Sequence, residues 1–182
     1  MKDEKIQLHD KTFKPYIRHE RILDAIDGVA REINHDFHDS TDIPVILCVL
    51  NGSIPFTGEL LQRLDFPLQV VSVKLSSYQG TQSTGTVLNV MGLTSNVRGR
   101  RVIICEDIVD TGNTIVAMKD LLQDAGVVDS KVCTLLVKPE VYKKHVKLDY
   151  VAMEIPNRFI VGFGLDYDEL GRNIKDIYVL DE

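Results

Sequence analysis

A chain of 182 residues, 44% hydrophobic and 26% charged, has the size and composition of one domain with its own hydrophobic core. Its formal net charge of -6 argues against general binding to nucleic acid or to an anionic membrane, which calls for a basic surface, but it leaves room for a local cluster of Lys and Arg around a phosphate. Cys48, Cys105 and Cys133 are odd in number, form no CxxC and lie in apolar runs, so they read as buried free thiols of a cytoplasmic protein; the five histidines make no metal-ligand pattern. The charged start MKDEKIQLHDK does not read as a signal peptide, and no apolar run approaches membrane-spanning length.

From about His19 to Phe37 the apolar residues Ile22, Leu23, Ala25, Ile26, Val29, Ala30, Ile33 and Phe37 recur at helical spacing and predict an amphipathic helix. PVILCVL, residues 44–50, is a continuous β-rich run, the mark of a strand buried on both faces of a parallel sheet. Asn51-Gly52-Ser53 breaks it, and residues 54–64 read as a helix. A second strand spans residues 66–77, a polar loop 78–85 follows, and a strand resumes over 86–93. After a turn at 96–100 comes a third apolar strand, 102–105, running into an acidic turn. Residues 114–125 have helical spacing, with Gly126 placed as the C′ residue. KVCTLLVK, residues 131–138, is another buried strand, ended by Pro139; DYVAMEI leads to Pro156, and FIVGFGLDY is a short strand opening into a polar C-terminal tail. Strands alternating with helices predict a single α/β domain over residues 1–182 with a mainly parallel sheet. In such sheets ligands bind at the carboxyl ends of the strands, where Asn51-Gly52, the segment 106–114 and Lys138 all fall.

The most informative of these ends is VIICEDIVDTGNTI, residues 102–115. A buried strand runs into three carboxylates, Glu106, Asp107 and Asp110, then Thr111-Gly112-Asn113-Thr114 at a helix start. A helix N-terminus offers unpaired N–H groups and partial positive charge, Gly112 lets the backbone curl close to an anion, and the Thr hydroxyls add donors. The GxxxxGK[ST] and GxGxxG patterns are absent, so neither a nucleoside-triphosphate P-loop nor a dinucleotide site is supported. Adjacent carboxylates accept hydrogen bonds from vicinal diols or bind Mg²⁺. Phosphate, diol and magnesium together describe a phosphorylated sugar.

ICEDIVDTGNT resembles the 5-phosphoribosyl pyrophosphate (PRPP) motif of the type I phosphoribosyltransferases, in wording closest to their hypoxanthine/guanine branch. LNGS, SSYQGTQSTG, LLVKP, EIPNRFIVGFGLDY and Arg172 follow in the family's order, so the match runs from about Val45 to Arg172. The resemblance implies the type I phosphoribosyltransferase fold: a mainly parallel central sheet flanked by helices, with a small hood built from chain-terminal segments. It implies purine salvage, in which hypoxanthine or guanine displaces pyrophosphate from PRPP to give IMP or GMP, with Mg²⁺ as cofactor. It also implies a cytoplasmic homo-oligomer, dimer or tetramer.

By the same resemblance, PRPP is held by Glu106, Asp107, Ile108, Val109, Asp110, Thr111, Gly112, Asn113 and Thr114. Glu106 and Asp107 take the ribose hydroxyls and the metal, residues 110–114 take the 5′-phosphate, and Asp110 is the general base beside the purine five-membered ring. Asn113 stands where some members carry Lys. Asn51 and Gly52 match the loop that touches pyrophosphate through its backbone. Many members have Lys or Arg at the Asn51 position, and the peptide before this Gly is often cis. Arg172 matches the pyrophosphate-binding Arg. Ser77 and Tyr78 begin the match to a mobile lid. Lys138 matches the donor to the purine 6-oxo group, Phe159 the residue that stacks on the base, Ile160 its backbone contact, and Asp166 an acid near both metal and base. Two alternatives stay open on sequence: a preference for xanthine, and a PRPP-binding regulator of RNA, which would be expected to carry a basic face and often to lack the catalytic Asp, whereas this chain is net acidic and retains Asp110, Lys138 and Arg172.

Overall fold

Two sheets divide the chain. The computed structural model describes residues 4–38, 41–78, 87–91, 93 and 97–181. Its elements run β1 (Ile6–Leu8), β2 (Lys11–Ile17), α1 (His19–Phe37), β3 (Val45–Leu50), α2 (Ile54–Leu61), β4 (Gln69–Tyr78), β5 (Val87–Met91), β6 (Arg101–Val109), α3 (Asn113–Asp124), β7 (Asp129–Val137), β8 (Tyr150–Glu154), β9 (Ile160–Val161) and β10 (Ile177–Leu180). The larger sheet has the order β5-β4-β3-β6-β7-β8; its strands are parallel except for β5, which pairs antiparallel with β4 at the edge. The smaller sheet, β1-β2-β10-β9, is antiparallel and joins the two ends of the chain, forming the expected hood.

The continuous apolar runs are explained by helices on both faces of the large sheet. Side chains alternate along a strand, so β3 and β6 feed two separate cores. Ile46 and Ile103 pack with Ile22, Ile26 and Ile33 of α1 and with Phe56 and Leu60 of α2. Val45, Leu47 and Ile104 point the other way, onto Ile115, Met118 and Leu122 of α3. Cys48 pairs with Cys105 and Cys105 with Cys133 across three neighbouring strands, and all three are buried free thiols, as their apolar surroundings suggest. At the end of α3, Gly126 N–H donates to Gln123 C=O at 3.0 Å and Val127 N–H to Leu122 C=O at 3.0 Å, the expected C′ closure.

Three features depart from the sequence reading. β6 does not stop at Cys105: it continues through the acids to Val109, with Glu106 opposite Thr134 and Ile108 opposite Leu136 of β7. Glu106 and Asp107 are therefore strand residues and not turn residues; pairing with β7 on one side outweighs the poor strand propensity of the acids. The polar C-terminal tail carries β10, in which the buried Ile177 and Val179 alternate with the partly exposed Tyr178 and Leu180. The N-terminal hairpin β1–β2 had no assignment; its signal is reduced to Phe13, fully buried inside KTFKPYI.

Candidate active site

The carboxyl ends of β3, β6 and β7 open on one place. Glu106 is 8% exposed, and its buried Oε2 has no hydrogen-bond partner among the described residues. Burial pushes its carboxyl well above the usual range, and the neighbouring Asp107 charge adds to the rise. Asp107 keeps some contact with solvent, yet burial pushes it up to about 6, against the pull of its hydrogen bonds and of the nearby Arg172 charge. The Ile108 N–H donates to Asp107 Oδ1 at 2.9 Å. Two crowded acids, one with an orphaned oxygen, are chemically unfinished: they suit a cation, a diol or both.

The loop after β3 meets this pair. A Cβ on Gly52 would overlap the Asp107 carboxylate, so only glycine lets the loop lie this close. The cis peptide is Leu50-Asn51, one bond before the one expected at Gly52. On the far side, Gly164 packs on the Gly52 carbonyl, where a Cβ would collide with it. Arg172 is tied into the same cluster. Its Nη1 donates to the Gly164 carbonyl at 2.8 Å, and its Nη2 pairs with Asp166 Oδ1 at 2.7 Å. Asp166 Oδ2 accepts from the Glu169 N–H at 2.8 Å. Asn51, Gly52, Asp107, Asp166 and Arg172 are thus brought together.

Among the described residues, no group of three or more His, Cys, Asp or Glu is arranged to hold a metal ion by itself. Asp166 is engaged by Arg172 and Glu169, which leaves Glu106 and Asp107 as the open donors. That set fits Mg²⁺, which typically takes one or two carboxylates and completes its octahedron with water and substrate phosphate oxygens.

Beyond β6 the chain turns into α3 through Gly112, whose φ is 82°. Residues Ile108 to Ile115 line a cavity of about 80 Å³ at this helix N-terminus. The Tyr142 ring lies against Gly112, and its hydroxyl donates to the Val146 carbonyl. A helix N-terminus with a curled, glycine-containing entrance offers unpaired N–H groups and partial positive charge, which suit an anion. Gly112→Ala would place a methyl into the Tyr142 ring and strain the left-handed backbone. It is expected to weaken binding of a phosphate monoester ligand by about tenfold, the equivalent of roughly 1.4 kcal/mol, with the melting temperature as the control for folding.

Lys138, at the end of β7, is almost buried, with its side chain 9% exposed; its Nζ reaches Asp110 Oδ2 at 3.1 Å, and the Asp110 side chain is 48% exposed. A nearly buried ammonium therefore faces a carboxylate that still sees solvent. Phe159 is 45% exposed, and Ile160 beside it is buried. Ser77 and Tyr78 are the last residues of β4, paired with Leu88 and Val87; the rest of the expected lid, 79–86, lies outside the described residues. Tyr142 and Gly164 escaped the sequence reading. The spacing Gly162-Phe163-Gly164 was the available signal, and all three residues have positive φ.

A five-stranded parallel array with an antiparallel edge, a terminal hood and an acidic strand end running into a glycine-led helix N-terminus suit a transferase of sugar phosphates. A family model of the phosphoribosyl transferase domain matches residues 14–168, and the chain belongs to that family. Within it, the similarity is to the hypoxanthine-guanine phosphoribosyltransferases. The enzyme of that name from Streptococcus pneumoniae strain R6 is 35% identical over 170 residues, covering 93% of each chain. The one from Lactococcus lactis subsp. lactis strain IL1403 is 44% identical over 138 residues, covering 75% of each. The crystal structure of a hypoxanthine phosphoribosyltransferase from Staphylococcus aureus superposes with a TM-score of 0.82 at 33% identity, over 92% of this chain and 90% of that one.

Proposed function

We propose that this chain, acting as one phosphoribosyltransferase domain, is a purine salvage enzyme that transfers the 5-phosphoribosyl group of PRPP to hypoxanthine and guanine, giving IMP or GMP and pyrophosphate. The observation that carries the proposal is the adjacent acids Glu106 and Asp107, with Glu106 Oε2 buried and without a partner among the described residues, Asp107 lying against the Gly52 loop, and the same strand running on into the Gly112 turn. The 35–44% identity to hypoxanthine-guanine enzymes supports the choice of base.

In this reading Glu106 and Asp107 accept the ribose hydroxyls and hold Mg²⁺, with Asp166 nearby. The metal supplies charge neutralisation for the pyrophosphate. The segment Ile108, Val109, Asp110, Thr111, Gly112, Asn113 and Thr114 surrounds the 5′-phosphate. The backbone of Asn51-Gly52 and the guanidinium of Arg172 hold the pyrophosphate; Arg172 arrives already oriented by Gly164 and Asp166, so little rotamer freedom is lost on binding. The bond from the ribose C1 to pyrophosphate oxygen breaks, a bond from C1 to a purine nitrogen forms, and the displaced base proton passes to Asp110. Lys138 donates to the purine 6-oxo oxygen, Phe159 stacks on the ring and Ile160 presents its backbone to the ring edge. The present Lys138–Asp110 contact is opened or shared as the base enters, so one ammonium both recognises the base and faces the general base. Ser77 and Tyr78 lead into the segment that covers the site. Cytoplasmic location and self-association as a dimer or tetramer belong to the same reading. No helix among the described residues is long and apolar enough to cross a membrane.

The test is a comparison of bases. With PRPP and Mg²⁺, hypoxanthine and guanine are expected to be consumed with release of pyrophosphate and adenine is not, because its 6-amino group is a donor facing the Lys138 ammonium. Preferred use of xanthine would keep the chemistry and change the substrate. Equal use of adenine, or no turnover of any base, would refute the proposal.

A further inference from the structure

The ring proposed to stack on the purine is part of an aromatic group that the reaction as described leaves unused. Phe159 lies 6.0 Å from Phe13 of β2, tilted by 37°, and 5.7 Å from Tyr167, edge-on at 89°. Phe13 and Tyr167 are themselves 6.2 Å apart. Phe13 is fully buried while Phe159 remains 45% exposed, so the support lies behind the Phe159 ring and part of that ring stays open.

Tyr167 is unusually well fixed for a residue next to a hairpin tip. Its N–H donates to Leu170 C=O at 2.9 Å and the Leu170 N–H returns to Tyr167 C=O at 3.1 Å. The two residues between them, Asp168 and Glu169, have φ of 45° and 70°. Both central residues of this tight turn therefore sit in the left-handed region without glycine, a costly arrangement that a fold keeps where it sets a geometry. The Tyr167 hydroxyl donates to Asp10 Oδ1 at 2.7 Å, in the turn between β1 and β2. That bond pushes the phenol up to about 12, so it stays a donor at any physiological pH. His9 packs against the ring at 5.7 Å, and the Lys11 ammonium lies 5.5 Å from its centroid.

We infer that Tyr167, anchored by Asp10, is a positioning residue for the purine: its ring edge fixes the Phe159 ring in the orientation that receives the base. The inference rests on the proposed stacking role of Phe159. An exposed Phe alone would sample rotamers and lose that freedom on binding; an edge-to-face neighbour removes the loss in advance. The same hairpin carries Arg172 and Asp166, so one turn aligns both the base and the pyrophosphate ends of the site. The N-terminal hairpin supports the base end of the site through Asp10 and Phe13.

The experiment measures initial rates for wild type, Tyr167→Leu, Tyr167→Phe and Asp10→Asn, varying hypoxanthine at saturating PRPP and PRPP at saturating hypoxanthine. Tyr167→Leu is expected to raise KM for the base by roughly three- to tenfold, the scale of one aromatic pair, while KM for PRPP holds. Tyr167→Phe and Asp10→Asn, which keep the ring and loosen its anchor, should shift the same constant in the same direction by less. A merely structural role would move both KM values together or lower only the melting temperature, and either pattern overturns the inference. If Tyr167→Leu does not fold, Tyr167→Phe decides: an unmoved base KM overturns it. No wild-type turnover of any 6-oxopurine overturns the underlying reading and this inference with it; normal wild-type turnover with an unmoved base KM in the variants overturns the inference alone.

Discussion

Asp110→Asn is expected to lower kcat with hypoxanthine by about 10²–10⁴-fold, the usual contribution of a positioned general base. The KM for PRPP should stay within a few-fold. Asn fills the same volume at the end of β6, so the Gly112 cradle that follows is not displaced. What it removes is the proton acceptor. It also removes the charge opposite Lys138, whose side chain is only 9% exposed. Leaving that ammonium without a carboxylate costs stability, but Asp110 is about half exposed and solvent takes up part of the charge, so the loss is expected to be on the order of 1 kcal/mol. A parallel thermal melt separates the two effects: a kcat loss with a melting temperature lowered by only a few degrees marks the chemical role. A kcat within about threefold of wild type would mean that the proton leaves by another route.

Glu106→Gln and Asp107→Asn are expected to do the opposite to stability: the protein without ligand should become harder to unfold. Both carboxyls are raised by burial, Asp107 to about 6 and Glu106 well above its usual range. In the unfolded chain both ionise near pH 4. Between about pH 4 and 6 the folded protein keeps a proton at Asp107 that the unfolded chain releases. Unfolding is therefore favoured progressively as pH rises through this window, and the penalty is complete above pH 6. For Asp107, discounted for its contact with solvent, it is on the order of 1–3 kcal/mol at neutral pH. The neutral amides escape it. Melts at pH 4.5 and 7.5 should show a clearly smaller difference between Asp107→Asn and wild type at the lower pH, where only part of the penalty has set in. At the higher pH the variant should gain a few degrees. No gain at pH 7.5 would mean that the acids already have partners in the folded protein, and the case for an unsatisfied ligand site would fall with it.

The same contrast explains what could be read from the chain and what could not. α1 and β7 were legible because each is long and keeps one period or one continuous apolar run, and packing agrees with that local signal. β6 was legible only to Cys105. Its last four residues contain two acids that no strand pattern would accept, and a site is where such local rules fail. The hood was legible only through the family resemblance. Its strands are short, and Phe13, Ile177 and Val179 find each other only after the two chain ends meet. Among site residues, the Glu106–Thr114 stretch is contiguous and could be read directly. The packing of Gly164 on Gly52, the Arg172–Asp166 pair and the Tyr167–Asp10 bond join residues up to 157 positions apart, and no local pattern records them.

The most direct measurement is a calorimetric titration of PRPP with Mg²⁺ into wild-type protein and into the Glu106→Gln/Asp107→Asn double variant at pH 7.5. The account predicts saturable one-site binding to wild type, and at least about tenfold weaker binding to a variant that melts higher than wild type without ligand. Equal affinity for both proteins would contradict it, because the acids at the end of β6 would then not be what receives the sugar phosphate.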